Sequence, residues 1–189
     1  SPNEEDIPQS FLYVNSEPIG SLIYLNSKNT GRITPDYIPF LEEGQYQITL
    51  KKKYFRDTTL AVNLQFGDTS NVYVDYFKNP LMFGKITFNS TPIDAEIILN
   101  DSITGLRTPA SIGQLKPGKY TIKYRLSNYR DSDLDVIVES NKTTSSYKQL
   151  RDTSQWVDYQ ESNSEIQSNF LTSIKVDNNN IKWIGTNNL

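Results

Sequence analysis

Three aspartates, Asp131, Asp133 and Asp135, recur at a spacing of two. On a β-strand that spacing turns every carboxylate to one face, and clustered carboxylates are what a hard cation such as calcium takes as ligands. Calcium sites gather their ligands from loops more often than from strands, so a solvated outer face is the simpler reading. A second group is cationic: Lys51, Lys52 and Lys53, with Lys123 and Arg125 further on. It offers a patch for acidic glycans or lipids, although charged residues on an edge strand more commonly block unwanted pairing. A third group is aromatic. Tyr13, Tyr24, Tyr37, Tyr54 and Phe55 supply flat rings of the kind that stack on the apolar face of a sugar, and Tyr13, Tyr24 and Tyr54 are the candidate ligand-binding residues. Tyrosine equally suits a sheet with one wet face.

The remaining chemistry is thin. His and Cys are absent, which removes the commonest general base, the commonest metal ligand, any disulfide and any cysteine nucleophile. A Ser-His-Asp triad cannot be assembled. Glu42 with Glu43, and Glu161 with Glu165, have no neighbour in sequence that would shift a pKa, so no acid–base pair is read. Asn89, Ser90 and Thr91 spell a glycosylation sequon, expected by chance in a chain so rich in Asn, Ser and Thr. No catalytic, cofactor-binding or metal-ligating residue is assigned, no cofactor is expected, and the chain is read as not an enzyme. The net charge of −3 and a pI near 5.1 argue against a nucleic-acid partner. No apolar run approaches the roughly 20 residues of a membrane-spanning helix. Membrane association would need a removed anchor or a further downstream segment. The polar opening, residues 1–6, reads as the stretch left once a signal is cleaved, or equally as an arbitrary cut.

The elements that would carry these residues are strands. Leu12 and Val14 alternate with Tyr13 and Asn15; Leu22 to Leu25 form a second apolar run; Tyr46, Ile48 and Leu50 alternate with polar residues; so do Leu60, Val62 and Leu64. Turn clusters separate them at 26–29, 54–57 and 67–68, and residues 72–77 close the pattern. No window shows a sustained helical period. Short strands at regular spacing predict an all-β sandwich.

The pattern is then repeated. Ser16-x-Pro18, Gly31-x-x-Thr34-Pro35 and Leu41-x-x-Gly44-x-Tyr46 return as Ser90-x-Pro92, Gly105-x-x-Thr108-Pro109 and Leu115-x-x-Gly118-x-Tyr120. The same 74 positions separate Ser16 from Ser90, Gly31 from Gly105 and Gly44 from Gly118. A constant offset without gaps is strong internal evidence for two copies of one module. Apolar inner positions agree between the copies: Ile86 and Phe88 answer Leu12 and Val14, and Ile122 answers Ile48. Outer positions drift. Asp131, Asp133 and Asp135 answer Asp57, Thr59 and Ala61, so the fold does not need three acids there.

The phrase Ser-x-Pro, Gly-x-x-Thr-Pro, Leu-x-x-Gly-x-Tyr resembles the PEGA domain, a small surface β-sandwich, over residues 10–77 and 84–150. The Pro-x-Gly-Ala signature is divided between the copies, Gly20-Ser21 in the first and Asp94-Ala95 in the second, and Ser27 and Asp101 stand where a turn glycine is usual. The resemblance implies accessory modules on envelope proteins, with no activity attached. Residues 151–189 are similar to an opening blade of a two-component-regulator-type β-propeller, through Asn163-Ser164-x-Ile166 and Trp183-Ile184-Gly185-Thr186. In that setting Trp156 and Trp183 would pack between blades. A single blade cannot close a ring, so the tail predicts a hairpin of Leu171–Val176 with 181–184 across the turn 177–180, cut from a longer protein. Its open edge invites self-association.

The expected organisation is a flexible lead-in (1–9), two tandem small Ig-like or transthyretin-like β-sandwiches (10–77 and 84–150), a short linker (78–83) that holds them in a semi-rigid line, and a C-terminal β-hairpin within 151–189. Tyr73, Asp75 and Phe77 are placed at the seam between modules. The expected function is a non-catalytic spacer or binding module of a bacterial envelope protein, in the periplasm or on the cell surface, with a cell-envelope glycan or protein as partner. The alternatives are a signalling-receptor ectodomain and an accessory region of a propeller-based polysaccharide-degrading enzyme.

Overall fold

A computed structural model describes residues 10–153, 160, 162, 164–166, 168–177 and 181–186. The lead-in, Trp156, Glu161, Asn163 and the hairpin turn at 178–180 lie outside the described residues. Two compact units divide the chain, Ser1–Arg151 and Asp152–Leu189. The first holds both modules.

In the first module β1 (Ser10–Glu17), β2 (Leu22–Leu25), β3 (Lys28–Ile33), β4 (Asp36–Leu41), β5 (Gly44–Lys51), β6 (Thr58–Leu64) and β7 (Thr69–Asp75) build two sheets, ordered β4-β1-β7 and β3-β2-β5-β6. Two single 3-10 turns, Tyr76–Lys78 and Pro80–Met82, lead on. The second module continues with β8 (Gly84–Thr91), β9 (Glu96–Leu99), β10 (Ser102–Arg107), β11 (Ala110–Leu115), β12 (Gly118–Arg125), β13 (Tyr129–Arg130), β14 (Ser132–Val138) and β15 (Thr143–Gln149). Its sheets, β11-β8-β15 and β10-β9-β12-β14, repeat the topology. After β16 (Arg151–Asp152), the second unit contains the hairpin β17 (Leu171–Val176) and β18 (Lys182–Thr186), with Ile174 opposite Ile184. The protein is therefore all-β, two tandem β-sandwiches and a C-terminal hairpin.

The alternation read from sequence is the alternation of burial. Leu12, Val14, Ile23, Ile48, Leu50 and Val72 fill the first core, and Ile86, Phe88, Ile97, Ile122, Tyr124 and Val138 fill the second. Burial of such side chains stabilises by roughly 1.5–3 kcal/mol each and drives each sandwich shut. Three features differ from the expectation. β4 and β11 are strands that the apolar pattern does not announce, because only Ile38 of β4 is fully buried and β11 buries no residue completely. The first turn is two residues, not four, because Asn26 and Ser27 both take left-handed conformations (φ 47° and 67°), as Asn100 and Asp101 do (47° and 61°). That pair closes a two-residue hairpin, and the chain pairs again at Lys28. The first and last strands of the first module, β1 and β7, pair in parallel, Val14 against Val72, and β8 and β15 do the same in the second. Parallel pairing requires a long crossover, here the whole of the other sheet.

The repeated phrase turns out to be hydrogen bonding. The Ser16 and Thr34 hydroxyls lie 2.6 Å apart, as do those of Ser90 and Thr108. Ser16 also donates to the Pro18 carbonyl (2.9 Å) and Ser90 to that of Pro92 (2.6 Å). Thr34 Oγ1 accepts from the Ser21 amide, and Thr108 Oγ1 from that of Ala95. The X-Pro bonds at Pro18, Pro35, Pro92 and Pro109 are cis. The tyrosine of Leu-x-x-Gly-x-Tyr is a tyrosine corner: Tyr46 donates to the Glu42 carbonyl (3.0 Å) and Tyr120 to that of Lys116 (2.9 Å). The serine, threonine and tyrosine of the motif thus each satisfy a backbone group where the chain changes sheet.

Candidate binding surfaces and the seam between modules

The aspartate row lies on the outer face of β14 and the turn before it, opposite a basic row on β12. Register sets Asp133 against Lys123 and Asp135 against Thr121. Asp135 accepts from Lys119 at 2.7 Å and from the Thr121 hydroxyl at 2.7 Å, and Asp131 accepts from Arg125 at 3.2 Å. The hydrogen bond from Lys119 holds the Asp135 carboxyl below its ordinary value, and the bond from Thr121 adds to this. The same bond raises Lys119. Two of the three carboxylates are committed to cations from their own sheet, and no group of three or more acids among the described residues could hold a metal. Lys123 and Arg125, grouped in sequence with Lys51 to Lys53, belong to this ladder in the other module.

The lysine run is also divided. Lys51 pairs with Asp57 at 3.0 Å, and the hydrogen bond raises its pKa; its ammonium also lies 4.9 Å from the Tyr24 ring centre. Lys52 donates to the Ile19 carbonyl at 2.6 Å. Lys53 lies 4.9 Å from the Tyr54 ring centre.

Tyr13, Tyr24 and Tyr54 do not converge. Tyr13 lies on the outer face of the β4-β1-β7 sheet, with its ring centre 4.7 Å from Tyr37. Tyr24 is on the outer face of the opposite sheet, beneath Lys51. Tyr54 sits in the corner between β5 and β6. A sandwich turns its two outer faces in opposite directions, so one ligand cannot stack on all three rings. A shallow groove of about 340 Å³ on β5 and β6 is lined by Asn26, Gln47 and Thr59 and by none of the three tyrosines.

The corner holding Tyr54 is half of a packed seam. Its carbonyl accepts the Ser140 amide at 2.9 Å, and the Ser140 hydroxyl donates to the Met82 carbonyl at 3.1 Å. The Asn141 amide donates to the Phe83 carbonyl at 3.0 Å. Rings continue the contact: Phe55 to Tyr76 at 5.1 Å, Phe55 to Phe77 at 6.0 Å, and Phe77 to Phe83 at 5.8 Å. Lys116 of the second module lies over Phe77 at 4.2 Å. Met82, within the sequence linker, is buried in the first core. Gly84 admits no side chain, since an added Cβ would lie 2.5 Å from the Glu139 carbonyl. A cleft of about 340 Å³ remains, lined by Tyr54, Phe55, Arg56, Glu139, Ser140 and Lys142. Lys142 pairs with Glu139. Of the seam residues expected, Phe77 is in place; Asp75 instead caps the first 3-10 turn, and Tyr73 is 59% exposed.

The PEGA domain family model matches residues 9–78 and 83–154. The chain belongs to the PEGA family. No curated protein matches it. Among solved structures it is similar to the Bacillus anthracis TIE protein, at 13% identity and a TM-score of 0.48 over 77% of this chain and 34% of that one. It is also similar to GBS52, the minor pilin of Streptococcus agalactiae, at 11% identity and a TM-score of 0.34, over 81% of this chain and 99% of that one. The chain thus spans about a third of the TIE protein's length. In this PEGA pair the sequence grouped cations and rings that the fold divides between faces and modules, with Phe55 packed against the first core. It did not reveal the seam, whose residues come from four separate stretches.

Proposed function

We propose that the two PEGA modules act as a non-catalytic extracytoplasmic spacer of a larger bacterial envelope protein, and that the C-terminal hairpin begins a β-propeller which the spacer presents. The observation that carries the reading is the seam. Hydrogen bonds from Ser140 and Asn141 and the stack Phe55–Phe77–Phe83 join the modules through groups on both, which suits a part whose work is to hold a distance. The membership of the PEGA family supports an accessory module. The rings that would have made a glycan site stand on separate surfaces, which favours spacer over binding module.

A glycan-array assay on this chain, beside variants Tyr13→Ala, Tyr24→Ala and Tyr54→Ala, tests the choice. The spacer reading expects no glycan retained above an unrelated β-sandwich control. Retention of a glycan that one of the three substitutions abolishes would replace the spacer with a binding module.

A further inference from the structure

The first module carries rings that its copy does without. On the outer face of the β4-β1-β7 sheet, Tyr13 lies opposite Tyr37 on one side and Asn71 on the other, and Asn15 lies opposite Tyr73. A shift in register leaves Pro39 and Phe40 together opposite Phe11. Five aromatic residues thus share three neighbouring strands. The equivalent positions of the second module hold Lys85, Thr87, Ser111, Gln114 and Tyr147. The β11-β8-β15 sheet has the same strand order and the same shift, so four of the five rings are not needed to build this face.

Phe40 separates packing from contact most clearly. It takes a left-handed conformation (φ 63°), as Gln114 does (φ 54°), and a bulky ring suits that conformation poorly. It is also 71% exposed, so the core beneath gains little from it. Tyr37 and Tyr73 are 52% and 59% exposed, and Phe11 and Tyr13 are half-buried. At about 200 Å² per aromatic side chain, the three exposed rings offer roughly 350 Å² of largely apolar surface. Patches of that size are where protein surfaces are commonly used for contact.

Three properties of the face select its occupant. No charged residue occurs in Phe11–Asn15, Tyr37–Phe40 or Thr69–Tyr73. A surface meeting its own copy brings like against like, and a face without charge escapes the repulsion that would oppose this. The polar groups among the rings are tyrosine hydroxyls and the Asn71 amide, each both donor and acceptor, so they can bond to their own duplicates. With Asn15, Thr69 and Asn71 between the rings, two copies would cover on the order of 1,000 Å² together, the area at which a specific contact becomes stable.

We propose that the outer face of the β4-β1-β7 sheet binds the same face of a second copy of this chain, in an isologous contact made by Tyr13, Tyr37 and Tyr73. The inference stands on the ring face and the repeat, not on the spacer reading. An isologous contact uses one patch on both partners, so the assembly closes at two chains. It has no ion pairs for salt to screen, so it holds as ionic strength rises. Its area suits a weak, reversible dimer.

Sedimentation velocity across a concentration series, at low and high salt, tests this with Tyr37→Arg and Tyr73→Arg. Ser111→Arg, at the position of the second module equivalent to Tyr37, is the matched control. Wild type should move with concentration from one chain towards two and no further, at both salts. Each tyrosine variant should associate about tenfold more weakly or worse, because the contact would bury unpaired like charges. Ser111→Arg should associate as wild type does. Unfolding midpoints close to that of wild type show that the variants are folded, as expected for residues more than half exposed. A wild type that stays a single chain at every concentration would overturn the proposal. So would association that both tyrosine variants leave intact, that Ser111→Arg weakens equally, or that grows past two chains.

Discussion

Ser21 and Tyr76 share a buried hydrogen bond of 3.1 Å in the first module, and the second module replaces both at once, with Ala95 and Leu150. The reverse exchange occurs nearby: Tyr124 and Ser146 form a buried pair where the first module has Leu50 and Val72. Losing one partner leaves a buried polar atom that costs about 1–3 kcal/mol, whereas replacing both is nearly neutral. Ser21→Ala should therefore destabilise the first module by about 1–3 kcal/mol, and adding Tyr76→Phe should recover part of that loss. A double-mutant cycle by denaturant unfolding measures it; a second substitution that adds its full cost would contradict the pairing. Burial pushes the Tyr76 phenol above its ordinary 10.0, against the hydrogen bond from Ser21. As pH rises through that ordinary value the unfolded chain ionises first, so the contribution present at lower pH is lost by the time the folded pKa is passed. Unfolding midpoints measured across that range should fall, and the fall should be smaller in Tyr76→Phe. At this scale the sequence was legible in its motifs but not in their purpose. Ser-x-Pro and Gly-x-x-Thr-Pro were visible as spellings, while the bond between Ser16 and Thr34 joins residues that only the fold brings together.

Strands were readable where one face is buried and obscure where neither is. β5 and β12 alternate cleanly because they are central, with Ile48 and Leu50, or Ile122 and Tyr124, fully inside. β3 and β10 lie at sheet edges and are mostly exposed, so nothing in their composition marks them. The parallel partnership of β1 with β7 is likewise invisible, since alternation reports a face and not a neighbour. What ties such edges down is the turn chemistry: the tyrosine corners, and the asparagines whose side chains accept the Gln47 and Thr121 amides at 2.8 and 2.9 Å. Tyr46→Phe and Tyr120→Phe should each cost about 1 kcal/mol, because each removes one bond to a carbonyl at a strand entrance and little packing. Matched losses from the two would fit equivalent roles, measured by unfolding each variant; a loss from one alone would contradict the equivalence.

Over the two modules together, the seam is what makes one body of them. The sequence located the linker and its proline but offered no sign that Met82 belongs to the first core or that Ser140 reaches back to Tyr54. Ser140 lies more than fifty positions from both Tyr54 and Met82, beyond any local pattern. The candidate tyrosines, by contrast, were legible as surface residues and scattered by topology. If the seam is as packed as the rings at 5.1–6.0 Å indicate, the modules tumble together, and Phe77→Ala should loosen them by removing the ring between Phe55 and Phe83. Residual dipolar couplings of the backbone amides in weakly aligned solution measure this directly. A single alignment tensor fitting residues 10–75 and 84–150 together, which separates into two on Phe77→Ala, is the result predicted. Two tensors of different orientation or magnitude in the unsubstituted chain would contradict it.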